Sequence, residues 1–119
     1  MGKTASDKSI EIEPVPDVEV WPRVDISEEQ ASAAISSALN VFKEGAVPNF
    51  FEDEMFTLQT LDCIGCITFV QPSVTKRGKV LGHSAVVVLK DGEIFVTSQC
   101  ETSNRAAAEA LYWVAVSHV

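Results

Sequence analysis

One group of side chains in this sequence has a composition suited to metal chemistry. Cys63 and Cys66 form a Cys-x-x-Cys pair, and the hairpin predicted below places His83 opposite Cys100. Three cysteines and one histidine are a ligand set that structural zinc uses. In a strand, however, residues three apart point to opposite faces, so the pair shares a metal only if Gly65 introduces a bulge. The alternative is that these are buried free cysteines, and we predict no metal and no cofactor.

Catalytic signatures are missing from the sequence. No G-x-S-x-G, H-E-x-x-H or G-x-G-x-x-G pattern occurs, and these patterns mark hydrolases, zinc proteases and dinucleotide-binding enzymes. His83 and His118 are the only histidines, and histidine is the side chain that titrates near neutral pH without perturbation. We therefore predict that the protein is not an enzyme.

The charged residues are distributed unevenly along the chain. Positions 1–59 hold twelve of the 17 acidic residues and four of the nine basic ones, so the first half carries the whole net charge of −8. Lys76, Arg77 and Lys79 form the one basic cluster. Phosphate recognition needs clustered Lys and Arg. The balance therefore disfavours general affinity for nucleic acid or anionic membranes, and it suits a basic protein partner.

The strongest structural signal is a β-hairpin centred on Asp91-Gly92. An Asp-Gly pair between two apolar runs is typical of a two-residue type I′ turn. Such a turn would pair Val88 with Phe95. Val86, Val88 and Phe95 would then share one apolar face of the sheet, which is a candidate surface for a partner.

Two further segments predict helices, one on each side of the strands. Ser27 and Gln30 form an S-x-x-Q capping box at the start of the first helix, which Gly45 would end. The second helix is predicted over 102–119, with Thr102 or Ser103 as its cap. It is apolar on nearly all sides, so we expect it to be buried on more than one side.

The residues between these helices predict a sheet. We expect a connection at 46–54, a short strand at 55–61 and a second strand at 63–70 that ends before Pro72, followed by the hairpin. The fold class predicted is α+β, with a three- or four-stranded antiparallel sheet and two helices packed on one face, in α-β-β-β-α order. At 119 residues the chain has the length of one domain.

Residues 1–24 are predicted to be an acidic extended arm, and residues 25–119 a single α+β domain. Alternating apolar and acidic residues favour a strand in the arm, while its prolines confine that strand to a sheet edge. Two interpretations remain open: a solvated leader, or an arm that adds to a sheet edge of this protein or of a partner. Trp21, together with Val18 and Val20, favours the second, because a tryptophan anchor needs a surface to pack on.

The start of the second predicted helix resembles the double-stranded-RNA-binding domain, whose corresponding helix begins S-K-K-x-A-K-x-A-A. Ser103, Arg105, Ala107 and Ala110 match this start, whereas Asn104 and Ala108 stand where the family has lysines. The element order is also similar. The resemblance implies the family's fold and a set of RNA-contacting residues, namely Lys76, Arg77, Lys79 and Arg105.

These observations lead to one functional expectation and two alternatives. We expect a small, non-enzymatic protein-binding module, such as an inhibitor, an adaptor or an assembly component of viral or phage type. Three cysteines without a signal peptide or a long apolar segment indicate a reduced, cytoplasmic chain with no membrane contact. Its partner would be another protein or a second copy, bound through Trp21, Val18, Val20, Val86, Val88 and Phe95. Binding of double-stranded RNA and binding of zinc are the alternatives.

Overall fold

The computed structural model describes residues 18–40 and 47–118. This part of the chain has an α+β fold, with a four-stranded mixed sheet and three α-helices. The elements in chain order are β1 (Val18–Trp21), α1 (Glu28–Leu39), a 3₁₀ turn (Phe50–Glu52), α2 (Glu54–Cys63), β2 (Ile67–Val74), β3 (Val80–Val88), β4 (Ile94–Thr97) and α3 (Ser103–Ser117).

The strands lie in the order β1-β4-β3-β2. β2 and β4 are each antiparallel to β3, whereas β1 is parallel to β4. The prediction of a purely antiparallel sheet is therefore wrong. The physical reason is the connection: a parallel pair needs a long crossover, and the chain between β1 and β4 contains two helices and a hairpin.

The hairpin between β3 and β4 has a three-residue loop rather than the predicted two-residue turn. The Leu89 N–H donates to the Glu93 carbonyl, and the Gly92 N–H donates to the Leu89 carbonyl, each at 2.9 Å. Gly92 has a φ of 92°, while Asp91 has a negative φ. This is a type I turn followed by a left-handed glycine. The Asp91 carboxylate supports it by accepting a hydrogen bond from the Glu93 N–H at 3.0 Å.

The extra loop residue shifts the strand pairing by one position. Val87 lies opposite Phe95, and Val88 lies opposite Ile94. Because side chains alternate along a strand, the shift moves Phe95 to the face opposite Val86 and Val88. Phe95 and Val87 are both buried. The predicted face containing Val86, Val88 and Phe95 is therefore wrong.

Beyond β4, an irregularity returns the pairing of the two chain segments to the register that the sequence predicted. His83 and Cys100 form an isolated antiparallel bridge, in which each N–H donates to the other's carbonyl at 2.8 Å. The predicted pairing of His83 with Cys100 is thus confirmed, although the hairpin register is not. Between the bridge and the regular β3–β4 pairing, the Ala85 N–H donates to the Thr97 hydroxyl at 2.9 Å instead of to a backbone carbonyl.

Residues 55–61 lie in helix α2, so the strand predicted there is wrong. Asp53 caps this helix by accepting a hydrogen bond from the Phe56 N–H at 3.0 Å. The buried residues of α2 are Thr57 and Leu61. Their spacing of four residues is that of one helical face, which a short segment with mixed apolar residues does not reveal.

Strand β2 is displaced from the predicted 63–70. It begins at Ile67, because Cys63 ends α2 and Gly65 turns the chain with a φ of 94°. It also continues through Pro72 to Val74. Proline is tolerated there because β2 is an edge strand, where one side of the backbone has no ladder partner.

The predicted helix starts are confirmed. Ser27 and Gln30 form both hydrogen bonds of the capping box at the start of α1, and the Thr102 side chain caps α3 by accepting a hydrogen bond from the Arg105 N–H at 3.1 Å. α1 ends at Leu39, where Asn40 has a φ of 53°. Gly45, the predicted stop, lies outside the described residues.

Helix α3 is the central element of the core. It contacts β2, β3 and β4 as well as α1 and α2, which agrees with its nearly all-round apolar sequence. Its buried residues include an uninterrupted run from 106 to 111. Helix α3 therefore packs against three of the four strands and both of the other helices.

Candidate functional site

The strand register places eight apolar side chains together on the face of the sheet opposite Val87 and Phe95. Two rows run across all four strands, one through Val18 and one through Val20. We call this set the open face; its residues are Val18, Ile94, Val88 and Ile67 in the first row and Val20, Val96, Val86 and Phe69 in the second.

The open face is most accessible on its outer strands. Val20 is 65% exposed and Ile67 is 67% exposed, and about half of Val18 and Phe69 is accessible. The side chains on the two central strands are partly buried between these neighbours. With strands about 4.8 Å apart, the face is roughly 20 Å wide. Large contiguous apolar patches on protein surfaces are often interaction sites, which makes the open face the candidate site.

The open face contains no charged side chain among the described residues. Charge is instead concentrated at the two ends of the strands. At one end, Asp91 and Glu93 lie beside the hairpin loop, and β1 begins there immediately after Asp17 in the sequence. At the other end, the turn between β2 and β3 carries Lys76, Arg77 and Lys79, all exposed. We call these ends the acidic end and the basic turn.

Trp21 and Phe95, two of the predicted partner-binding residues, pack on each other instead of lying on the open face. Trp21 is 6% exposed, and the Ser98 hydroxyl donates to its carbonyl at 2.6 Å. β1 therefore adds to the edge of the protein's own sheet, which was one of the two possibilities for an edge-adding arm. The predicted residues Val18 and Val20 do lie on the open face.

Val86 and Val88 also lie on the open face, as the sequence suggested. The prediction missed four of its members: Ile67, Phe69, Ile94 and Val96. The alternation of Ile67 with Phe69 was a usable signal, since residues two apart on a strand share a face.

Arg105, one of the predicted RNA-contacting residues, is held by internal partners. Its Nε donates to Glu109 at 2.7 Å, and Nη1 lies 3.8 Å from the Glu28 carboxylate. Nη2 donates to the Val24 carbonyl at 3.2 Å, and the guanidinium lies over the Phe51 ring. Glu109 is fully buried and also accepts a hydrogen bond from the Val24 N–H. This network ties the segment after β1 to α3.

The other three predicted RNA-contacting residues sit together on the basic turn. The Thr75 hydroxyl orders this turn by accepting hydrogen bonds from the N–H groups of Arg77 and Lys79 at 3.3 and 3.1 Å. Lys76, Arg77 and Lys79 are exposed. With Arg105 neutralised by carboxylates, three of the four cations remain available for phosphate.

The predicted zinc ligands do not assemble. Cys63 is exposed at the end of α2, whereas Cys66 and Cys100 are buried. Across residues 18–40 and 47–118, no group of three or more His, Cys, Asp or Glu side chains could hold a metal ion. Burial raises the pKa of the Cys66 thiol, and it raises the pKa of the Cys100 thiol to about 12, so both stay protonated near neutral pH.

One surface cavity lies beside the hairpin loop. It has a volume of about 460 Å³, and its apolar lining comes from the turn between α2 and β2 (Ile64 and Cys66), from Leu89 after β3 and from Val114 of α3. Its polar lining residues are Lys90, Asp91 and His118. Lys90 and Asp91 have opposite charges and adjacent positions. This lining does not select for the charge of a small molecule.

The chain matches no known protein family, no curated protein and no solved structure. The resemblance to the double-stranded-RNA-binding domain therefore stays a prediction. No helix in the described part of the chain is long and apolar enough to cross a membrane.

Proposed function

We propose that this protein is a small, non-enzymatic protein-binding module that binds through the open face. The observation that carries the proposal is the presence of two continuous rows of apolar side chains across four strands, exposed on the two outer strands and partly buried on the two central ones. Burying apolar area is the main favourable contribution to most protein associations. The partner is an apolar protein surface without charged groups opposite the rows, because an unpaired charge buried there would be costly.

The layout of the helices supports this proposal. α3 contacts three of the four strands, and the sheet residues buried with it, such as Val87 and Phe95, lie on the face opposite the two rows. We infer that the helices cover that opposite face. The open face is then the side of the sheet that association can bury.

The edges of the sheet are less suited to binding. Pro72 lies within β2, one edge strand, and Pro22 immediately follows β1, the other. Proline lacks the N–H that main-chain pairing requires, and edge prolines are a common protection against strand addition. Association through side chains of the face is therefore favoured over addition of a partner strand.

RNA binding ranks below protein binding for a physical reason. Arg105 already pairs with Glu109 and Glu28, so the start of α3 presents no free guanidinium to a phosphate. The remaining cations lie on one turn of a chain with a net charge of −8. Salt-dependent phosphate binding needs more contacts than these three residues supply.

A site-specific photocrosslinker tests the proposed function. A benzophenone amino acid is placed at Val20 on the open face, and the control variant carries it at Met55 on α2, which is 69% exposed. In the cells that express the protein, we expect a discrete crosslinked product from position 20 but not from position 55, whether the crosslinked polypeptide is another protein or a second copy of this chain. The product should form again from purified components and weaken with Phe69→Asp. Equal crosslinking from both positions, or none from position 20, would refute the proposal.

A further inference from the structure

We propose that the surface that covers the open face is the open face of a second copy of this chain, so that two sheets pack face to face. This inference rests on the proposed function and names the partner. A face that pairs with itself through a two-fold axis must be self-complementary. The two rows meet that condition because, among the described residues, they contain only apolar side chains.

The side-chain types on the open face suit a sheet-on-sheet core. Seven of its eight residues are valine or isoleucine. β-branched side chains pack well on pleated surfaces, and two stacked sheets lie about 10 Å apart when such side chains interdigitate. The eighth residue, Phe69, is about half exposed. In a symmetric pair with antiparallel strands its ring lies over β2 of the other copy, where Ile67 is the neighbouring open-face residue.

The charges at the two ends of the strands set the orientation of the two copies. If the strands of both copies ran in the same direction, both basic turns would lie at the same end of the dimer, where their like charges would repel. Rotation by a two-fold axis perpendicular to the strands places each basic turn towards the acidic end of the other copy. Lys76, Arg77 and Lys79 then lie towards the hairpin loop of the other copy, where the two carboxylates of Asp91 and Glu93 outnumber Lys90.

The size of the open face sets the strength of this dimer. Two rows on four strands cover roughly 20 by 14 Å. Each partner in a standard interface contributes about 800 Å², roughly three times the area of the two rows, so we expect the open face to form only a weak dimer.

Sedimentation equilibrium of the purified full chain, from about 5 to about 500 µM, tests the inference because this range brackets a weak dimer. We expect a monomer–dimer equilibrium that Phe69→Asp or Val20→Asp weakens at least about 10-fold, as expected for an interface hot spot. Met55→Asp, the control, introduces the same charge at an equally exposed position on α2 and should leave the equilibrium unchanged. Lys76→Glu with Lys79→Glu should weaken the dimer by a smaller factor.

The possible outcomes separate this inference from the proposed function. A chain that remains monomeric at the highest concentration overturns the second copy as partner, while a heterologous crosslink from position 20 would still support the open face. A dimer that is unchanged by both aspartate variants on the open face also overturns the inference. Circular dichroism and cooperative unfolding of every variant confirm that lost association does not reflect lost folding.

Discussion

The indole ring of Trp21 lies flat on the phenyl ring of Phe95, with centroids 4.6 Å apart and planes 6° apart. The two residues belong to adjacent parallel strands, and the ring of His118 lies 4.9 Å from that of Phe95. On the other side of β1, the strand that carries Trp21, Val18 and Val20 form one edge of the open face. The stack therefore holds in place the strand that gives the open face its full width.

Replacing Trp21 with alanine should destabilise the protein by about 3 to 5 kcal/mol, the range for a large buried aromatic residue. Val20→Ala is the matched control on the next position of β1, and its exposed side chain should change stability by less than about 0.5 kcal/mol. Urea unfolding monitored by circular dichroism measures both values. Similar losses for the two variants would contradict the anchoring role of the stack.

Replacing Arg105 with methionine should cost about 3 kcal/mol, because it leaves the buried Glu109 carboxylate without its counter-ion. The control is Arg23→Met, which removes the exposed pair between Arg23 and Glu101 at 3.3 Å. An exposed pair contributes no more than about 1 kcal/mol. Thermal unfolding at constant pH compares the two, and the reverse order of stability would refute the structural role of the Arg105 network.

Replacing Gly82 with alanine should disturb the junction between His83 and Cys100. A Cβ at position 82 would lie 2.8 Å from the Cys100 carbonyl oxygen and 2.5 Å from a Gln99 side-chain carbon. The backbone oxygen cannot move without breaking the bridge. Amide hydrogen exchange at His83 and Cys100 should therefore accelerate.

Gly92→Ala provides the control for this glycine effect. Gly92 has a φ of 92° but open space around it, so its replacement should cost about 1 to 2 kcal/mol of backbone strain without a local effect at His83. If both variants accelerated exchange at His83 and Cys100 equally, close approach at Gly82 would not be the cause.

At pH 8 the folded protein should expose one reactive thiol. Cys63 is exposed, whereas Cys66 and Cys100 are buried, and the pKa of Cys100 is raised to about 12. Between about pH 9 and pH 12 the Cys100 thiol stays protonated in the folded state but loses its proton in the unfolded state. Its contribution to the free energy of unfolding is therefore complete below about pH 9 and is lost as the pH rises towards 12. Titration with a thiol reagent should give one group per folded chain and three in denaturant. Rapid modification of Cys100 at pH 8 would contradict its burial.

Parts of the fold were predictable from local sequence signals. The capping residues Ser27 and Thr102 are sufficient to locate the starts of α1 and α3, because a side-chain cap acts over three residues. The hairpin was also located correctly. Its loop length was not, because Asp91-Gly92 fits both a two-residue turn and a type I turn with a following glycine. The choice between these two turns depends on the hydrogen bond from the Glu93 N–H to the Asp91 carboxylate and on the burial of the Phe95 side chain.

The candidate site depended on information that is not local. Apolar character was sufficient to identify four of its residues, Val18, Val20, Val86 and Val88. Which side of the sheet each one faces depends on the strand register, because a shift of one residue moves a side chain to the other face. Trp21 was correctly identified as an anchor, while its target, Phe95, is a neighbour in space and not in sequence. Parallel pairing between distant strands leaves no short pattern that a sequence can display.

The parallel pairing of β1 with β4 also determines the order of folding. Val18 pairs with Ile94, 76 positions later in the chain, so closing this contact carries a large loop entropy and follows the local β2–β3–β4 pairing. During synthesis β1 leaves the ribosome first and waits unpaired until β4 emerges. In a Trp113→Phe variant, which leaves Trp21 as the one tryptophan of the chain, fluorescence should therefore report the final step of refolding, after the circular dichroism signal of the helices has reached its native value.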